Sequence, residues 1–129
     1  MYTYGMNTVI RTFLCTTAAL LALSGHAHAW EPGPWTREQV VLQGIFTALL
    51  YVDVRQTMTG AGLRELNPLL GSRPTDTEIV RYFTAAALLH GAVSAVLPSS
   101  LRTRWQYVWI GIESHVVWYN WQLGLTLGF

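Results

Sequence analysis

Glu113 lies within an apolar run from Trp105 to Leu123, and His90 within another from Ile79 to Leu97. A carboxyl and an imidazole are the side chains that hold or pass a proton, and an ionisable group inside a long apolar segment is costly enough to mark a functional candidate. Asp53, Gln56, Arg81 and Asn120 complete the candidate set. Counting inward from the breaks in the apolar runs places Asp53, Arg81 and Asn120 at one level, and Gln43, His90 and Glu113 at a second, nearer the middle. Gln106, Glu113 and Asn120 recur every seven residues, so they line one helix face, while Asp53, Gln56 and Thr57 share a face of another helix. His115 falls off the Glu113 stripe. Two uses fit such a set. One is interhelical hydrogen bonding, worth about 0.6 to 2 kcal/mol for each bond in an apolar bundle. The other is a proton-handling or catalytic pair made by His90 and Glu113.

Other chemistries are excluded by what is missing. There is no G-x-S-x-G elbow, no H-E-x-x-H and no Walker loop. The side chains that could ligate zinc, His90, His115, Glu113 and Asp53, include no pair at helical i, i+4 spacing, so no metal and no cofactor are expected. The eight basic residues are all arginines and form no run able to track a phosphate backbone, so nucleic acid is not an expected partner. The only cysteine, Cys15, lies in the N-terminal apolar segment.

The elements that must position the candidates follow from punctuation and periodicity. Arg11, the apolar stretch Thr12 to Leu23 and the small-x-small triplet Ala27-His28-Ala29 form an export signal over residues 1–29, with cleavage expected after Ala29. The remainder, 30–129, reads as one all-α domain: a small helical membrane bundle with about three transmembrane helices, near 36–57, 76–97 and 100–123. Pro32, Gly33 and Pro34 keep the lead-in out of helix. Thr36 with Gln39, and Thr75 with Glu78, have capping-box spacing, and Ser99 and Ser100 are expected to cap the third helix after Pro98. Only 12% of residues are charged while 51% are hydrophobic, too little charge to coat the outside of a soluble three-helix bundle. The tryptophans group as Trp30 and Trp35, then Trp105, Trp109, Trp118 and Trp121, which suits membrane interfaces. Export and the arginines at 55, 64, 73 and 81 predict a periplasmic mature N-terminus, a cytoplasmic first connection and a cytoplasmic C-terminus in the inner membrane.

That first connection carries Glu65-x-Asn67-Pro68-x-Leu70-Gly71-x-x-Pro74, whose leucines need cover and are expected to pack back on the helices. Together with Asp53-x-x-Gln56-Thr57, Leu97-Pro98, Trp105-Gln106, Glu113 and Asn120, this pattern resembles small signal-bearing proteins of proteobacteria and their phages that carry no assigned activity. The resemblance spans about Trp35 to Gly124. It implies that Glu65, Asn67, Pro68 and Gly71 form one unit with the polar residues of the helices, and it implies no reaction. Three function classes follow. The leading one is a non-enzymatic envelope or phage accessory protein whose partners are the bilayer and another membrane protein or itself. The second is an intramembrane enzyme or proton-coupled carrier using Asp53, His90 and Glu113. The third is a soluble periplasmic helical binding protein.

Overall fold

The computed structural model describes residues 31–60 and 69–128, and among them the chain is all α-helical. Three helices follow one another: α1 (Arg37–Thr59), α2 (Asp76–Val96) and α3 (Ser99–Gln122). The bounds fall within about two residues of those expected from the sequence. The export signal expected over residues 1–29, Cys15, and the motif residues Glu65, Asn67 and Pro68 lie outside the described residues.

The helix starts show which punctuation the chain obeys. Thr36 and Thr75 are both N-caps with complete capping boxes, reciprocated by Gln39 and Glu78. α3 differs from expectation. Its N-cap is Pro98, which makes no side-chain cap bond, and the helix is already under way at Ser99. Pro98 has φ −54 and ψ 147, so its ring fixes the turn directly out of α2 and the serines have no cap left to make. Gly71 has φ +76, the left-handed conformation that glycine adopts without steric cost. Of the three loop leucines expected to pack back, Leu66 lies outside the described residues, Leu70 packs against the core and Leu69 is exposed.

α1 and α3 run parallel and share the most extensive interface, α2 packs chiefly on α1, and α2 and α3 touch least although only a short turn joins them. The apolar core is Phe46 and Leu50 of α1 against Ile79 and Phe83 of α2, flanked by Trp109 and Ile110 of α3. After α3 the chain folds back across the end of α1. There the Arg55 guanidinium donates to the Leu127 and Gly128 carbonyls, and the Thr59 hydroxyl donates to the Thr126 carbonyl at 2.7 Å.

The distribution of polarity is inverted relative to an ordinary soluble bundle. Among the described residues, eight polar or charged side chains are buried (Gln39, Asp53, Gln56, His90, Ser94, Arg102, Gln106 and Glu113), against seven hydrophobic ones. Meanwhile Val40, Val41, Ile45, Tyr51, Leu88, Leu89, Val96, Trp118 and Trp121 are exposed. Polar groups are usually the ones left outside, because stripping their water costs several kcal/mol unless a partner replaces it. α2 is the one helix among the described residues long and apolar enough to cross a membrane, and just 22% of its most apolar stretch is buried.

Candidate functional site

Six of the eight buried polar residues lie on α1 and α3, His90 and Ser94 lie on α2, and together they divide into three levels. At the level where α1 and α3 begin, Arg102 is completely buried. Its Nε donates to the Ser94 carbonyl at 2.6 Å, Nη1 to Gln39 Oε1 at 3.0 Å and to the Pro34 carbonyl, and Nη2 to the carbonyls of Gly33 and Leu97. The guanidinium also lies over the Trp35 ring, 4.9 Å from its centroid. Gln39 extends the knot by donating through Nε2 to Ser99 and Thr103, and its own backbone carbonyl accepts from Gln106 Nε2. One arginine thus ties the lead-in, the end of α2 and the starts of α1 and α3 together. Of the two arginines in the first turns of α3, Arg104 is exposed, while the Pro98 turn folds Arg102 back under the carbonyls that end α2.

At the middle level His90 is stacked between Phe46, with ring centroids 3.8 Å apart, and Trp105, at 5.6 Å, with the edge of Trp109 closing the third side. Neither of its ring nitrogens has a hydrogen-bond partner among the described residues. His90 therefore serves here as a flat aromatic plate. Gln43 is half-buried, and the Glu113 carboxyl faces Asp53, so the shared depth of His90 and Glu113 does not make them a hydrogen-bonded pair.

The third level holds the acidic pair. The Glu113 carboxyl faces that of Asp53 at close range. Asn120 Nδ2 donates to Asp53 Oδ1 at 2.6 Å, and Gln56 Nε2 donates to the Val117 carbonyl at 3.3 Å. The spacing in the sequence accounts for the meeting. Asp53 and Gln56 lie at i, i+3 on α1, and Glu113, Val117 and Asn120 lie at i, i+4, i+7 on α3, so two helical stripes face each other across a parallel interface. Glu113 is 6% exposed and Gln56 is 0% exposed, yet Glu113 Oε1 and Gln56 Oε1 have no hydrogen-bond partner among the described residues.

Four of the six helix residues expected to cluster therefore do so: Asp53, Gln56, Glu113 and Asn120. His90 sits apart in its aromatic box, and Arg81 is exposed on α2, beside Leu69, Leu70, Glu78 and Tyr82 at an open pocket. Sequence reading missed the Arg102 and Gln39 knot. Gln39 was legible as a capping residue, but one cap bond leaves its amide free for α3, and only the return of α3 against α1 uses it. His115 is exposed, with its ring 5.8 Å from Trp118, as its place off the stripe predicts. Among the described residues, no three His, Cys, Asp or Glu side chains converge in a way that could hold a metal ion. No family model, no curated protein and no solved structure matches this chain.

Proposed function

We propose that this chain is a small integral protein of the bacterial inner membrane, a three-span bundle that acts as a non-enzymatic envelope or phage accessory protein. Its partners are the bilayer and another membrane protein or a second copy of itself. The observation that carries the reading is the inverted polarity: arginine, glutamate, aspartate and glutamine are buried along the α1–α3 seam while valine, leucine and tryptophan face outward. In water such an arrangement is penalised twice, once for each buried polar group without a partner and once for the exposed apolar area. In lipid the exposed apolar area is solvated by acyl chains and is no longer penalised, and a polar group is better placed inside, where partners exist, than facing the hydrocarbon. The soluble periplasmic alternative has to leave Leu88 and Leu89, 69% and 67% exposed, in contact with water.

The proposed topology places Gly33 and Ser100 in the periplasm and Ser72 in the cytoplasm. Single cysteines at those positions in a Cys15→Ser background test it. The expected outcome is retention in carbonate-washed membranes, labelling of positions 33 and 100 by an impermeant reagent in intact cells, and labelling of position 72 only after lysis. Release as a soluble protein with all three positions labelled overturns the membrane assignment.

A second reading, an intramembrane enzyme or proton-coupled carrier, is favoured by the facing carboxyls of Asp53 and Glu113. Normal cellular function of a Glu113→Gln variant removes that reading and leaves the accessory role.

A further inference from the structure

At the third level of the seam the two amide donors are already directed, Asn120 Nδ2 to Asp53 Oδ1 and Gln56 Nε2 to the Val117 carbonyl, and the remaining polar atoms are acceptors. Asp53 and Glu113 present carboxyl oxygens to each other, and the carboxamide of Gln56 has its donor end spent on the Val117 carbonyl, which turns Oε1 the other way. Reversing that amide would bring its oxygen against the Val117 oxygen, so the orientation is fixed by repulsion. Glu113 Oε1 and Gln56 Oε1 are thus two buried acceptors with no donor among the described residues, and Glu113 belongs to the facing carboxyl pair. Leaving a buried acceptor unmet is costly, and two facing carboxylates repel. A single positive species removes both penalties at once.

We infer that the Asp53, Gln56, Glu113 and Asn120 cluster is a binding site for a small monovalent cation, an alkali ion or a proton, held by carboxyl and amide oxygens between α1 and α3. Hard oxygen donors select hard cations. Two carboxylates match the charge of a divalent ion, but calcium asks for a fuller shell of oxygens and magnesium keeps several waters, and no third acidic or imidazole ligand converges among the described residues. Asn120 is a positioning residue: its Nδ2 holds Asp53 Oδ1 and so aims the carboxyl across the interface. The charged and titratable groups on the surrounding elements point elsewhere. On α1, Arg55 is turned to the carbonyls of the C-terminal tail; on α2, His90 is boxed by aromatic rings and Arg81 is exposed; on α3, His115 lies on the outer surface. The inference does not depend on the bundle spanning a membrane.

The test is thermal unfolding of the purified full chain in phospholipid nanodiscs, in sodium, potassium or choline chloride at matched ionic strength and at several pH values. Binding to the folded state alone raises the unfolding temperature with the logarithm of ligand concentration, by a few degrees per tenfold for a bundle of this size. If an alkali ion is bound, the temperature rises with sodium or potassium over choline, and the increment disappears in Glu113→Gln and Gln56→Leu. If a proton is bound, the temperature ignores the salt, and infrared difference spectra show a titrating buried carboxyl band that Glu113→Gln abolishes. Should either variant fail to fold, sodium-23 relaxation and the infrared titration of the unaltered protein give the same discrimination. Absence of both an ion effect and a titrating buried carboxyl in the unaltered protein overturns the inference, whatever the result of the membrane fractionation.

Discussion

A fully buried arginine is tolerable only when every N–H finds an acceptor, and Arg102 meets that condition with four backbone carbonyl oxygens and one amide oxygen. The planar fork is what makes this possible. It reaches Ser94 and Leu97 at the end of α2, Gly33 and Pro34 in the lead-in, and Gln39 on α1 at the same time. A lysine there keeps the charge but offers three donors at a single point. Arg102→Lys is therefore expected to destabilise the fold by about 3 kcal/mol, the scale of losing two hydrogen bonds to a charged group, while Arg104→Lys at the exposed neighbouring position stays within about 0.5 kcal/mol. Chemical unfolding of both variants measures the difference. The sequence identified the type of residue and its depth in the chain, but not that the turn at Pro98 would fold this arginine inward and leave the next one outside.

At the scale of the elements, two helices start as their sequences specify and one does not. The Thr75 hydroxyl accepts from the Glu78 N–H, and Glu78 reciprocates on the Thr75 backbone N–H at 2.8 Å. Thr75→Ala removes that acceptor and is expected to cost about 1 kcal/mol. Ser99→Ala is expected to cost less than about 0.5 kcal/mol, although a serine just after a proline reads as a cap. Ser99 caps nothing, and the Gln39 amide that reaches its hydroxyl keeps two other acceptors for its two hydrogens, the Ser99 carbonyl and Thr103 Oγ1. Gly71→Ala should lose about 1 kcal/mol, because a side chain at φ +76 crowds the following carbonyl. The relative unfolding free energies of these three variants, measured side by side, check the assignment of each start and turn. The capping boxes are local chemistry and so are visible in four consecutive residues. The failed serine cap depended on Pro98 supplying the turn by itself.

For the molecule as a whole, the governing fact is which side of each helix faces out. Leu88 and Leu89 are adjacent on α2 and both exposed. Leu89→Arg on the surface of a soluble bundle would change stability by no more than about 0.5 kcal/mol and would improve solubility. In the membrane bundle proposed above it is expected to raise the cost of inserting α2 by about 3 kcal/mol, since the charge then sits in mid-span facing lipid. The recovered fraction in carbonate-washed membranes should fall sharply for Leu89→Arg. It should stay unchanged for Arg73→Leu in the connection before α2.

The sequence by itself determined the three helices, two of their caps, the seven-residue polar stripe of α3, the polar face of α1 and the low charge, because each of these is fixed by neighbours within one or two turns. It also set Asp53 and Asn120 at one level, where a hydrogen bond joins them, since depth counted from a connection survives folding when the helices are straight. Only the tertiary structure decided the partners. Depth is one coordinate and contact needs three: rotation of α2 about its axis put His90 among aromatic rings and left Arg81 exposed, while the parallel packing of α1 on α3 brought Asp53 and Gln56 to Glu113 and Val117. The sequence spacing of one helix carries no information about that rotation, which is set by how the side chains of the other two fill the seam.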